Sequence, residues 1–163
     1  MMYITGGQFT DTIDKDVGFL IDKWNEVVKE NDTVLYVGNF IYSNEIDLRN
    51  IIEQLNGKIC ILQQNNGEVE KDKLLRNGIH SVFRVPFYLT IDDTDSKIIF
   101  NYEPEKGKIG DNYYIIFSKE AKIYNSETHT LNLYCGLWDY SPISLDMCPT
   151  ILQNMIDFEK MEG

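Results

Sequence analysis

Apolar positions in the first half of the chain switch between two periods. Tyr3-Ile-Thr is a short run ending at Gly6-Gly7 and predicts a first strand. From Asp16 to Glu30 the period lengthens. Val17, Leu20, Ile21, Trp24, Val27 and Val28 fall at helical spacing, with Asp14 or Asp16 placed to accept the first free N–H groups. Thr33 to Val37 has the composition of a buried strand. Ser43 is suited to cap a second helix, which would bury Ile46, Leu48, Ile51, Ile52 and Leu55 and stop before Gly57. Lys58 to Leu62 predicts a third strand. The order β-α-β-α-β implies parallel pairing through right-handed crossovers. Ligand-binding loops of such sheets lie beyond the carboxyl ends of the strands. Residues 6–9, 38–40 and 63–67 should therefore converge on one crevice.

The second half reads as mostly β. Val82 to Val85, Phe87 to Ile91, Lys97 to Tyr102, Tyr113 to Phe117 and Leu131 to Leu137 are predicted strands. Asp92-Asp-Thr-Asp95 reads as a hairpin turn. Pro149 to Met161 predicts a closing helix with proline in its first turn. No repeat, linker or composition break divides residues 1–163, so a single α/β domain is expected.

Composition narrows the function classes. With 163 residues, 43% apolar and 25% charged, the chain can bury a sizeable core. No apolar run is long enough for a membrane span, and the N-terminus lacks the basic start of a signal peptide. Cys60, Cys135 and Cys148 are an odd number without metal-ligand spacing. Buried reduced thiols and a cytoplasmic location are expected. The net charge of -11 disfavours direct binding to nucleic acid and suits a protein partner with a basic surface.

Several segments together resemble the calcineurin-like metallophosphoesterases. Val34-Leu-Tyr-Val-Gly-Asn-Phe40 is similar to that family's V-Y-H-L-G-D-F, and Leu55-Asn-Gly-Lys-Ile-Cys-Ile-Leu-Gln-Gln-Asn-Asn66 to its L-N-G-K-K-I-L-I-x-G-N-H-D. Ile4-Thr-Gly-Gly-Gln-Phe9 stands where the family has I-S-D-T-H-F. Trp24-Asn25, Val28, Asp32 and Val34 match W-N…V…D-x-V. Lys97-Ile-Ile-Phe-Asn-Tyr-Glu-Pro104 resembles K-I-x-L-S-H-E-P, and Leu133 to Ser144 resembles V-x-V-x-x-W-D-Y-x-P-I-S. These pieces run in family order over most of the chain. The resemblance implies a β-sandwich flanked by helices.

It also implies a chemistry whose ligands are missing. The family's two metal ions, about 3.5–4 Å apart, need a bridging carboxylate and further anionic or imidazole ligands. Carried over residue by residue, the first aspartate is Gly6, the first histidine Gln8 and the bridging aspartate Asn39. Asn65 keeps the family asparagine, and Asn66 replaces the histidine that helps protonate the leaving group. Tyr102 replaces the histidine of S-H-E-P, and Ser118 and Glu120 fall at the last G-H-x-H pair. Neutral side chains here would relieve the repulsion of carboxylates that had lost their metal. The expected protein is a pseudoenzyme with no cofactor, serving as a protein-interaction or inhibitory module, such as a phage structural or anti-defence protein. The alternatives are a residual metal-dependent phosphodiesterase using Asn39, Asn65, Asn66 and Glu120, or a pseudoenzyme that binds a nucleotide without turnover.

Other clusters have simpler readings. Asp11 to Asp16 lacks the glycine and final glutamate of a calcium loop and reads as helix capping. Asp92, Asp93 and Asp95 read as a polar turn. Gly6-Gly7 with Gly38 lacks the remainder of a nucleotide-binding loop. His80 and His129 read as a turn and a loop residue, and neither Cys60 nor Ser118 has a recognisable histidine partner. Trp138 and Tyr140 are expected to pack the final strand.

Overall fold

A computed structural model describes residues 1–7, 17–38, 45–63, 68–84, 87–90, 97–100, 113–117 and 121–163. The alternating half folds as β1 (Met2–Gly6), α1 (Val17–Val27), β2 (Thr33–Val37), α2 (Glu45–Gln54), β3 (Lys58–Gln63), α3 (Glu68–Arg76) and β4 (Ser81–Arg84). The remainder forms β5 (Phe87–Thr90), β6 (Lys97–Phe100), β7 (Tyr113–Ile116), β8 (Tyr124–Asn125), β9 (Thr130–Asn132), β10 (Ile143–Ser144) and α4 (Cys148–Glu162). The first sheet has the order β10-β1-β2-β3-β4, the second β5-β6-β7-β9-β8. Strands β1 to β4 are parallel, as the β-α-β pattern requires, and β10 closes the other edge antiparallel to β1. The second sheet is mixed, with β5–β6 and β8–β9 antiparallel and β6–β7–β9 parallel.

Strand alternation divides the first sheet's side chains between two cores. Val34, Tyr36, Ile59 and Ile61 face α1 and α2, meeting Leu20, Ile21, Trp24, Leu48, Ile51 and Ile52, with Leu74 of α3 in the same layer. Ile4, Leu35, Val37, Cys60 and Leu62 face the second sheet and meet Phe100, Ile115, Phe117, Leu131 and Leu133. Cys148, Leu152 and Ile156, one α4 turn apart, join this inter-sheet core. The result is a helical layer on two packed sheets.

Three features differ from the sequence reading. α3 escapes it because its run Glu68 to Arg76 is mostly polar, with Leu74 fully buried and Leu75 exposed. Leu131 to Leu137 is not one strand: β9 ends at Asn132, and Cys135–Trp138 turns into a 3-10 helix. Asp139 (φ 53°) and Tyr140 (φ 60°) then reverse the chain. Trp138 packs on the inter-sheet core, whereas Tyr140 lies edge-on to Phe19 of α1, centroids 6.1 Å apart. β8 and β10 are short pairings that the apolar pattern does not announce. The Asp92–Asp95 turn lies outside the described residues, although β5 and β6 pair antiparallel around it. The Asp14, Asp16 and Ser43 caps also lie outside them.

The W-N segment and Asp32 serve as braces. Trp24 Nε1 donates to Asn56 O (2.9 Å) and Asn25 Nδ2 to Gln54 O (2.8 Å). In return, Asn56 N–H donates to Asn25 Oδ1 (2.8 Å), and Asn56 Nδ2 donates to Val28 O (3.0 Å). The carboxylate of Asp32 accepts from the N-terminal ammonium and from Lys29 N–H, each at 2.8 Å. These bonds, the ammonium first, hold the Asp32 carboxyl below its ordinary value of 3.8. A depressed folded-state pKa gives stability that is present above the unfolded value and lost as pH falls below it. Asp32→Asn should therefore be less stable than wild type at pH 7, with the gap closing below about pH 3.8, read by thermal melts across pH.

All three cysteines are free and buried. Burial, with a smaller contribution from Asp146, pushes the Cys148 thiol up to about 12. The thiolate is the reactive form, so Ellman's reagent at pH 8 should label none of the three thiols promptly in folded protein and all three in denaturant. Prompt labelling of Cys148 in the folded state would contradict this packing.

Candidate functional site

The carboxyl ends of β1, β2 and β3 finish at one level. Gly6 pairs with Val37, and Val37 with Leu62. Past the strands the ladder continues: Gly7 N–H donates to Val37 O (2.9 Å) and Gly38 N–H to Leu62 O (3.1 Å). Tyr36 Oη adds a bond to Gly7 O at 2.8 Å. Gly7 (φ +108°) and Gly38 (φ +116°) are left-handed, and a Cβ on Gly38 would stand 2.7 Å from Gly7 O. Gly38 permits this close backbone approach, and Gly7 leaves room for the Tyr134 ring, 2.6 Å from where its Cβ would stand.

The second sheet reaches the same place. Gly6 forms a parallel bridge with Tyr134, which follows β9, and Phe117 follows β7. A Cβ on Gly6 would lie 2.2 Å from Phe117 Cδ1 and 2.5 Å from Val37 O. The volume that any side chain at position 6 would need is therefore filled by an aromatic ring belonging to the inter-sheet core. A carboxylate does not fit there. Position 6 is thus closed to a side chain by Phe117 and by the Val37 carbonyl.

Of the positions assigned from the resemblance, Gly6 is described. Gln8, Asn39, Asn65, Asn66, Tyr102, Ser118 and Glu120 lie outside the described residues. Three described residues that precede such positions do meet at the strand ends: Gly7 before Gln8, Gly38 before Asn39 and Phe117 before Ser118. The histidines do not join them. His80 precedes β4 and His129 precedes β9, so both sit at amino ends of strands. Asp11 to Asp16 and Asp92, Asp93 and Asp95 are outside the described residues.

Two features were not legible in the sequence. Phe117 as a plug could have been suspected only from a bulky residue directly preceding the Ser118 position. Asn132 is a fully buried polar node. Its Nδ2 donates to Ala121 O (3.1 Å), its Oδ1 accepts from Tyr134 N–H (3.1 Å), and its backbone O accepts from Trp138 Nε1 (2.9 Å). It thereby fixes the segment that bridges Gly6. Elsewhere, an open hollow of about 490 Å³ lies between β8 and the end of α4, lined by Lys122, Tyr124, Glu127 and Glu159 among others. It is separate from the strand ends.

No family model matches the chain. Its sequence is 25% identical over 138 residues to the uncharacterized protein MJ1445 of Methanocaldococcus jannaschii, covering 82% of this chain and 73% of that one. The crystal structure of AQ665, a protein of unknown function from Aquifex aeolicus, matches with a TM-score of 0.63 at 18% identity. The match covers 93% of this chain and 98% of that one. At that identity the likeness is one of fold.

Proposed function

We propose that this chain is a catalytically inactive, metallophosphoesterase-like scaffold that acts by binding another protein. The observation that carries the reading is the Phe117 ring in the space beside Gly6, at 2.2 Å from any Cβ built there. In the family that the sequence resembles, this strand end presents the first metal-ligating aspartate. Here it supports inter-sheet packing. The braces made by Trp24, Asn25, Asn56 and Asp32 support the same reading, because the retained motifs serve the scaffold.

A protein partner suits the surface better than nucleic acid does. A net charge of -11 steers basic surfaces toward the molecule and phosphates away. Phe83 and Tyr88, on β4 and β5 at the edges of the two sheets, are 42% and 51% exposed and supply apolar contact area. A role in inhibition or assembly follows from such binding. A phage setting is one place for it, while the two relatives come from cellular organisms.

The test has two arms. Metal-stripped protein reloaded with Mn²⁺ is expected to hydrolyse bis-p-nitrophenyl phosphate no faster than buffer with Mn²⁺. Affinity purification from the native host is expected to recover one stoichiometric protein, whose purified form binds the chain. Turnover abolished by Asn39→Ala would instead establish a residual hydrolase.

A further inference from the structure

Among the described residues, the two sheets end in β10, β4, β5 and β8. A sheet edge offers backbone N–H and C=O groups to an incoming strand. β8 and β10 are two residues each, too short to align one. β4 and β5 have four residues each, and β5 carries no charged side chain.

The side chains of β4 serve two faces in alternation. Val82 pairs in register with Ile61 and packs on the helical layer, so Arg84, paired with Gln63, lies on that same face. Arg84 is exposed. Phe83 pairs with Leu62 of the inter-sheet core and lies on the opposite face. Its ring is held against Phe87, centroids 5.2 Å apart, and Phe87 meets the fully buried Phe100 at 6.1 Å. A row of three rings thus runs from the core to the sheet edge, and its last member is open to solvent. β4 presents a fixed aromatic on one face and a cation on the other.

Charge at this edge runs against the rest of the molecule. The chain has 26 acidic residues in 163, yet none falls between Lys73 and Ile91, its longest acid-free stretch. That stretch supplies the end of α3, all of β4 and all of β5. Its charged residues are Lys73, Arg76 and Arg84. The net charge of -11 acts at long range and is screened beyond about 8 Å at physiological salt. A strand laid on β4 would instead meet Arg84 at contact distance.

We propose that β4 is the docking edge for an extended segment of a protein partner in which acidic and apolar residues alternate. The added strand lengthens the first sheet, with its acidic side chains on the Arg84 face and its apolar ones beside Phe83. Backbone hydrogen bonds supply affinity common to any strand, and the alternation supplies the choice among strands. Resting on the protein-binding reading, this assignment adds where the partner engages and what strand it brings.

The probe is an acetylated, amidated octapeptide alternating glutamate and valine, titrated into the isotope-labelled full chain. Saturable amide shifts centred on Ser81–Arg84 are expected, with slowed hydrogen exchange in β4 as its edge becomes paired. Lysine in place of glutamate, or four glutamates followed by four valines, should weaken binding at least about tenfold. Arg84→Glu and Phe83→Ala should each do the same, with thermal melts showing that both variants fold. No binding at millimolar peptide, equal binding of the lysine peptide, or shifts centred elsewhere would overturn the proposal. So would an Arg84→Ala that self-associates in sedimentation while wild type ignores the peptide, which would make Arg84 only a guard of the edge. Binding of oligothymidylate in place of the peptide, lost in Arg84→Glu, would also overturn it and give the edge to single-stranded nucleic acid. A host partner that binds Arg84→Glu as tightly as wild type would sink this edge and leave the protein-binding reading standing.

Discussion

Replacing Gly6 by aspartate is expected to cost at least about 4 kcal/mol of stability rather than to restore a metal ligand. The new Cβ would overlap Phe117 Cδ1 at 2.2 Å and Val37 O at 2.5 Å. The first is a side chain packed in the inter-sheet core and the second is backbone held in the β1–β2 ladder, so neither yields cheaply. The carboxylate would also be buried against an aromatic face. Against a total stability of roughly 5–15 kcal/mol, this loss threatens folding itself. Gly6→Ala separates the two costs: it should lose about 2 kcal/mol from overlap alone. Phe117→Ala combined with Gly6→Asp should recover part of the loss, since residues in contact couple. Urea unfolding of the set is the measurement. A Gly6→Asp variant as stable as wild type would show that the strand end has room for a ligand.

Asn132→Leu is the second large effect, at about 3 kcal/mol. Leucine has the same number of side-chain heavy atoms as asparagine, but it is bulkier and removes both side-chain bonds, to Ala121 O and from Tyr134 N–H. The site is fully buried, so water cannot replace them. The consequence extends beyond stability, because Tyr134 bridges Gly6 and its ring lies 2.6 Å from where a Gly7 Cβ would stand. Loosening this segment loosens the packed strand ends. Asn132→Asp should do nearly as badly, since a carboxylate would face the Ala121 carbonyl. Urea denaturation followed by tryptophan fluorescence reads both, with Trp138 reporting locally because its indole bonds to Asn132 O. A loss below about 1 kcal/mol would contradict the node.

The parallel half of the fold was legible because its signals are local and repeated. Val17 to Val28 shows the helical period, and Thr33 to Val37 and Lys58 to Leu62 are apolar runs that end in left-handed glycines or polar residues. α3 was hidden because few of its residues need burial, its place being set by the β3–β4 crossover rather than by an amphipathic stripe. The break after Asn132 was hidden because Leu133, Tyr134, Cys135, Leu137 and Trp138 are as apolar as a strand. What ends β9 is the Asn132 amide and the left-handed pair Asp139 and Tyr140, which are tertiary choices. At the candidate site, composition could show that Gly6 carries no ligand. That Phe117 fills its space depends on how two sheets separated in sequence meet, and no local pattern encodes that.

An inactive scaffold requires that no two-metal centre forms at the ends of β1, β2 and β3. The direct measurement is calorimetric titration of Mn²⁺ into metal-stripped protein. No saturable binding up to millimolar metal is expected, as a strand end closed by Phe117 requires. Micromolar binding that saturates at two ions per chain would contradict it and make this protein a metalloenzyme.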